Sequence, residues 1–318
     1  MSETTGGNNF ESSIPAIVDP SAEGLPVTMA DAYARMNSYI ALDRAAYGST
    51  LQAGHLSASR AAITETSLEA LRRSRQGEER TAIILGAGGC GDIPLEQLLT
   101  DFDKTTVVDV HTEQTERALG ELSPKLLRKA NLVQAELSGL AKGLGDVFDQ
   151  ASAEREHSQF LGVATAMVRK LGVVNSLVEF GNDYAFVCSQ LLMSQLSSIP
   201  QLHFSRLVGE KYGKPLTMMP GHEDEALITA LNEKNIKIQV NHIGHLNHLS
   251  RGNGTVHFAD TLGEVRDGQK LRMVPPGALQ AIESSFDQLR EPDFWYYRPS
   301  LNQLFAVGSY SLAPKSAG

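Results

Sequence analysis

The stretch from Thr81 to Val110, TAIILGAGGCGDIPLEQLLTDFDKTTVVDV, constrains the fold of this 318-residue chain more than any other. It opens on an apolar run, Ala82 to Leu85, with the length and β-branched content of a strand buried on both faces. The run breaks into Gly86, Gly88, Gly89 and Gly91, where residues without a Cβ let the backbone turn sharply and come close to a ligand. Leu95, Leu98, Leu99 and Phe102 then recur at helical spacing, and Pro94 suits the first turn of that helix. A second strand, Thr105 to Val110, carries Asp109 near its C-terminal end. Strand, glycine turn, helix, strand and a terminal carboxylate make one βαβ nucleotide-binding half.

The rest of the composition narrows the class. An apolar fraction of 42% is enough for a substantial core. A net charge of −9 argues against nucleic acid as a partner, because neutralising phosphates takes clustered Lys and Arg. No apolar run approaches the roughly 20 residues that span a bilayer, and no charged-then-apolar leader is read at the start, so a cytoplasmic protein without membrane attachment is expected. Two cysteines, Cys90 and Cys188, fit a reducing compartment better than a disulfide framework. Nothing in the pattern sets an oligomeric state.

In chain order, residues 1–27 are rich in Gly, Asn, Ser, Pro and Glu and are expected to form a mobile arm. Residues 28–80 read as a helical cap, with Asp31, Ser57 and Thr64 as N-cap candidates. This segment holds Tyr33, Tyr39 and Tyr47, which either pack at the domain edge or form a lid in which Tyr39 or Tyr47 meets ligand. A short helix over 112–122 follows Asp109, then a third strand, Asn131 to Ala135, ending in Glu136 and Leu137. Residues 145–180 predict one or two long helices, with Phe148, Phe160, Val163, Ala164, Met167, Val168 and Leu171 inward, and read as a substrate-side insertion. A fourth strand, Tyr184 to Cys188, delivers Ser189 and Gln190 at its end, and a helix from Leu191 to Ile199 follows. Helical stretches over 200–213 and 222–250 precede a fifth strand, Thr255 to Asp260, and an exposed ribbon or loop. A helix is expected from Pro275 to Leu289, then a hairpin of Phe294 to Arg298 with Gln303 to Leu312, and a tail over 313–318.

Strands alternating with helices predict a doubly wound, mostly parallel α/β sheet, here seven-stranded with a C-terminal antiparallel hairpin. Ligands in such sheets bind beyond the carboxyl ends of the strands. That places the glycine loop, Asp109, Glu136, Ser189, Gln190 and Asp260 at the site.

Gly86-x-Gly88-x-x-Gly91 alone also fits an NAD-dependent oxidoreductase. Against that, 80 residues precede the unit, no second glycine loop follows, and the sheet ends in a hairpin. With ILGAGGCGDIP (84–94), VVDV (107–110), AEL (135–137) and FVCSQ (186–190), in that order, the chain from 81 to 312 resembles the class I S-adenosylmethionine (SAM)-dependent methyltransferases. The resemblance implies a catalytic domain over 81–312 that binds SAM and transfers its methyl group to a small-molecule acceptor. It puts Gly86 and Gly88 beside the methionine moiety, with Gly91 closing the loop, and Asp109 on the ribose diol. Glu136 or Leu137 would border adenine, and Ser189 and Gln190 the sulfonium. Two departures stand out: the spacing before Gly91, and Glu136 where Asp is frequent.

The activated methyl group asks the protein mainly for alignment, and orientation alone contributes roughly 7–11 kcal/mol. An absent catalytic triad is therefore no argument against an enzyme. A rival within the fold has SAM alkylate its own amino-acid arm, closing an azetidine-2-carboxylate ring and releasing methylthioadenosine. A noncatalytic cofactor-binding protein is the rival outside enzymology. His242, His245 and His248 recur every three residues, a spacing that drifts around a helix, so a packed face competes with a metal site and no metal is expected. His242 is also a candidate general base, beside Tyr39 and Tyr47. His222 to Glu225 read as an acidic helix start, and Trp295, Tyr296 and Tyr297 as hairpin packing rather than a cation cage.

Overall fold

A computed structural model describes residues 17–18, 53–173, 180–217, 221–250, 253–266, 269–272, 276–300 and 303–315. The strands are β1 (Ile17–Val18), β2 (Thr81–Leu85), β3 (Lys104–Asp109), β4 (Ala130–Gln134), β5 (Phe186–Gln190), β6 (Thr255–Arg266), β7 (Gln269–Arg272), β8 (Phe286–Gln288), β9 (Asp293–Ser300) and β10 (Gln303–Pro314). The helices are α1 (Ala53–Arg73), α2 (Leu95–Asp101), α3 (Glu113–Gly120), α4 (Pro124–Leu127), α5 (Ala141–Ala151), α6 (His157–Lys170), α7 (Met193–Tyr212), α8 (Glu225–Leu249) and α9 (Pro276–Ser285).

All the strands join one sheet in the order β1-β4-β3-β2-β5-β6-β10-β8, with β7 paired to β6 and β9 to β10. From β1 to β6 the path is parallel, and β10 enters antiparallel between β6 and its partners β8 and β9. This is the expected Rossmann-like sheet with its terminal hairpin. The seven expected strands are β2 to β6 with β9 and β10. The additions are edge pieces: β1 beside β4, β7 folding back on an extended β6, and β8. Within Gln269–Arg272, β7 turns the polar stretch after β6 into a two-stranded ribbon.

Side chains alternate across the parallel strands and divide the core in two. Ile83, Leu85, Val108, Val187, Val256 and Phe258 face α5 to α9, whereas Ala82, Ile84, Val107, Leu132, Phe186 and Cys188 face α1 to α3. The amphipathic stripe of α2 is as expected: Leu95, Leu98, Leu99 and the adjoining Phe102 are all buried.

Several boundaries differ from the sequence pattern. β5 begins two residues later than expected, so Ser189 and Gln190 are strand residues with their side chains on opposite faces. α7 continues through Pro200, which reads as a break in sequence; buried Ile199, Phe204 and Val208 on both sides of it hold one helix. α9 stops at Ser285 because Phe286 to Gln288 pair with β10. Ser57 and Thr64 lie inside α1 rather than at its start. The expected 145–180 helices are α5 and α6, packed on α7 and α8 in the larger core. Val163, expected inward, is exposed.

Phe160 anchors this helical layer, with its ring among Phe148, Phe204 and Tyr212 at centroid separations of 6.1, 6.3 and 5.0 Å. Replacing a fully buried Phe by Ala removes transfer energy and leaves a cavity. Phe160→Ala is expected to destabilise the fold by about 3–5 kcal/mol in urea unfolding. A change below about 1 kcal/mol would show that α6 is not part of the core.

Candidate functional site

The carboxyl ends of β2, β3, β4 and β5 open into one crevice. Its floor is the glycine loop, Gly86 to Gly89, with Asp109 and Val110 beyond β3 and Ala135 to Leu137 beyond β4. Gln190, Leu191 and Leu192 form the side beyond β5, continued by Gln195, Leu196 and Ile199 of α7. His55 of α1 and Tyr297 of β9 line it from the N-terminal helix and the hairpin.

The loop conformation follows from its glycines. Gly86 has φ +68°, and a Cβ there would lie 2.5 Å from Leu192 Cδ1, so only glycine seats both the turn and the leucine wall. Gly88, φ +50°, has nothing within 4 Å of a Cβ position and lines the crevice. Backbone amides of Gly86 and Ala87 donate to Val108 O at 2.8 and 3.2 Å, fastening the loop to β3.

Asp109 completes that attachment. Its Oδ2 accepts from the Gly88 amide at 2.7 Å and its Oδ1 from the His111 amide at 2.9 Å. Burial pushes its pKa up, and the hydrogen bonds from His111 and Gly88 oppose the shift. Two carboxylate oxygens offer about four acceptor positions, so two amide bonds leave capacity for further donors.

Glu136 lies in the crevice wall with its carboxylate turned to the chain leading into α5, where Oε1 accepts from the Ser138 amide at 2.7 Å. Burial raises its pKa and the bonds around Ser138 oppose this. Leu137 also lines the crevice.

Four expected site residues, Gly91, Ser189, His242 and Asp260, are placed elsewhere. Gly91 is offset from the crevice lining, and its carbonyl accepts from Arg60 Nε and Nη2 at 3.0 and 2.6 Å. Ser189 points to the opposite face of the sheet from Gln190, where its hydroxyl meets His242 Nε2 at 2.8 Å. That pair is fully buried between β5 and α8, so neither Ser189 nor His242 lines the crevice. Burial and the nearby His245 push the His242 pKa down to about 3, so its ring is neutral packing and not a base at the crevice mouth. Tyr39 and Tyr47 lie outside the described residues. Asp260, expected at a strand end, lies within β6, which runs on to Arg266; it is buried away from the crevice lining, with its Oδ1 accepting from the Thr261 amide.

Sequence reasoning missed His55 and Tyr297. The Trp295 indole donates to His55 Nδ1 at 2.9 Å, and the Tyr297 ring stacks on the imidazole at 4.5 Å. The aromatic run of the hairpin therefore packs, as expected, and also brings one ring to the crevice. Tyr296 between them is exposed. Leu191 was missed as well; it holds φ +52°, a strained value for a bulky residue, with its amide donating to Ala259 O at 2.8 Å. Cys90 and Cys188 are both buried, and no disulfide joins them.

Among the described residues, His157, Glu223 and Asp224 could hold a metal ion. They lie away from the crevice as an ion-pair group, with His157 Nδ1 3.1 Å from Glu223 and Lys214 3.7 Å from the same carboxylate. The expected acidic helix start thus also ties α8 to α6. No described helix is long and apolar enough to cross a membrane.

No family model matches the chain, and neither does any curated protein. Similar solved structures include a SAM-dependent methyltransferase from Leishmania major, 13% identical, covering 88% of this chain and 82% of its own, with a TM-score of 0.40. The N-methyltransferase NodS from Bradyrhizobium japonicum is 11% identical over 80% of this chain and 96% of its own, TM-score 0.35. The glycopeptide N-methyltransferase MtfA, solved with SAM, is 11% identical over 78% and 93%, TM-score 0.30. At such identities and scores the likeness says nothing about chemistry, which has to be read from the crevice.

His242 gives the fold a pH signature of stability. Its folded pKa of about 3 lies below the ordinary value of about 6.5, so its neutral-state stabilisation is complete above 6.5 and is lost as pH falls toward 3. His242→Gln is expected to flatten the fall in unfolding free energy, from urea titrations between about pH 6.5 and 4.5, by up to about 1.4 kcal/mol per pH unit. An unchanged slope would show that His242 is already protonated in the fold.

Proposed function

We propose that the protein is an enzyme that binds SAM in this crevice and uses it to methylate a small-molecule acceptor. The observation that carries the reading is the pairing of Asp109 with the Gly86–Gly89 loop at adjacent strand ends. The open side of Gly88 and the remaining acceptor positions of Asp109 suit a nucleoside whose ribose hydroxyls donate to the carboxylate. A 2′-phosphate there would be repelled by the same charge. Hydrogen bonds to a charged group contribute about 1.5–3 kcal/mol each. Leu137 and Ala135 offer an apolar edge to a base, while the Glu136 carboxylate is occupied by the α5 approach and is assigned a structural role.

Gln190, Leu191 and Leu192 then border the reactive centre, and His55 and Tyr297 cover it on the acceptor side. Such a walled crevice supports a small acceptor rather than a macromolecule, and the net charge of −9 supports this against nucleic acid. The bound sulfonium supplies an electrophilic carbon. Acceptor attack breaks S–CH3 and leaves adenosylhomocysteine, whereas attack by its own α-amine breaks S–Cγ, closes a four-membered ring and leaves methylthioadenosine. Leu191, Leu192, Leu196 and Ile199 give one side of the crevice an apolar lining, next to the polar Gln190 and Gln195. In either route the chain's contribution is alignment and exclusion of water.

Asp109→Ala is expected to weaken SAM binding at least about tenfold, near 1.4 kcal/mol, by calorimetry. Because the bound state needs the ionised carboxylate and burial raises its pKa above 3.8, wild-type affinity is expected to fall on acidification before that value is reached. Asp109→Asn should lose this dependence. Unchanged affinity in Asp109→Ala, or NAD binding in preference to SAM, would refute the reading.

The product nucleoside decides the chemistry. Incubation with SAM and a panel of small amines, phenols and acids is expected to yield adenosylhomocysteine only when an acceptor is present. Methylthioadenosine from SAM alone would establish ring closure, and binding without either product would leave a noncatalytic protein.

A further inference from the structure

His157 and Glu223, 66 residues apart in sequence, bring the starts of α6 and α8 together in a group that does not line the crevice. His157 is the first residue of α6, and Asp224 is the N-cap of α8. An Asp at that position ordinarily turns its carboxylate onto an amide of the first turn. Asp224 makes no such bond, although its side chain is only 1% exposed. Its Oδ2 accepts from the Thr217 amide at 2.9 Å and lies 3.2 Å from His222 Nδ1. Its Oδ1 is buried with no hydrogen-bond partner among the described residues. That oxygen stands 4.0 Å from His157 Nε2, which is likewise buried without one.

The tautomer of His157 follows from its other nitrogen. Nδ1 lies 3.1 Å from Glu223 Oε1, and a carboxylate oxygen only accepts, so Nδ1 carries the proton. In the neutral ring Nε2 then holds a bare lone pair, and it faces the lone pairs of Asp224 Oδ1 with no proton between them. The separation of 4.0 Å is too long for a hydrogen bond. A buried pair of acceptors left in this way calls for a third body. A water donating to both would leave the Asp224 and Glu223 charges side by side, opposed from outside by His222 and by Lys214, which is 69% exposed and 3.7 Å from Glu223. A divalent cation satisfies both lone pairs and offsets both charges. A histidine bound to metal through one nitrogen characteristically donates the other N–H to a carboxylate, which is the part Glu223 plays.

We propose that His157 Nε2 and Asp224 Oδ1 ligate a divalent transition-metal ion of the zinc class, with Glu223 as the positioning residue that orients the ring. Zinc holds imidazole nitrogen and carboxylate oxygen at roughly 2.0–2.2 Å, which sets two tetrahedral ligands roughly 3.4 Å apart, so the pair has to close by only about half an ångström. The imidazole selects such an ion over magnesium, which prefers oxygen ligands. The ion would clamp α6 to α8 within the helical layer. The inference does not rest on the function proposed above, and no step of that chemistry passes through this site.

The test uses the full chain, stripped with EDTA and returned to chelator-free buffer. Calorimetry with zinc chloride is expected to show one equivalent bound, and zinc is expected to raise the thermal midpoint by at least about 2 °C. Magnesium chloride should do neither. His157→Gln, and Asp224→Asn, which keeps an oxygen for the Thr217 amide, should each weaken zinc binding at least about tenfold. Glu223→Ala should weaken it about tenfold, and Glu223→Gln, which keeps an acceptor for Nδ1–H, should recover most of the loss. Thermal unfolding without metal reports whether each variant folds, and the half-exposed Glu223 pair decides if the buried positions do not tolerate change. Absence of zinc binding to the wild-type chain, equal binding of magnesium, or zinc binding that survives unchanged in His157→Gln and Glu223→Ala would overturn the proposal.

Discussion

The site depends on a buried carboxylate joined to backbone. Asp109, at the tip of β3, holds the glycine loop through the Gly88 amide and its own continuing chain through the His111 amide. Removing a carboxylate from water is unfavourable, and the upward shift of its pKa registers that penalty. The amides offset part of it, and the carboxylate keeps acceptor positions on the crevice that an incoming hydroxyl can fill. One residue thus shapes the loop and, on the proposed function, receives the sugar.

β5 shows how the sheet separates packing from recognition. Successive side chains of a strand point to opposite faces. Ser189 goes to α8 and is sealed against His242, while Gln190 goes to α1 and the crevice. Each meets a buried histidine held neutral by burial, but only the Gln190–His257 pair has an outlet to the crevice. The two pairs are alike in chemistry and unlike in consequence, and the difference comes from one step in strand register.

The parallel core, the glycine loop and Asp109 were legible because their signals are local: a β-branched run, glycines in tight succession, and an acid closing the next strand. The terminal hairpin was legible for the same reason. Ser189 was misplaced because two neighbouring strand-end residues look equivalent until register is known, and β5 starts two residues later than its apolar run implies. His242 looked accessible because its helix carries histidines every three residues; only the packing of α8 on β5 shows which of them faces inward. His55 and Tyr297 are separated by 242 positions and meet where α1 packs against β9. No spacing rule reaches that far. Pro200 failed as a boundary because apolar burial on both sides outweighs the one backbone bond it removes.

Leu191 shows what the crevice asks of the rest of the fold. A leucine in the left-handed region is costly, by about 1–3 kcal/mol, and persists only where its surroundings fix it. Here β6 holds its amide, and Leu192, the next residue, closes over Gly86 with no room for a side chain on the glycine. The strained turn and the side-chain-free turn are therefore one device: the first delivers the wall, and the second makes space for it. Because both are locked to neighbouring strands, the crevice is shaped before any ligand arrives. A preformed cleft of this kind serves alignment chemistry better than a mobile one, since the freedom that a reacting centre would lose has already been removed by folding.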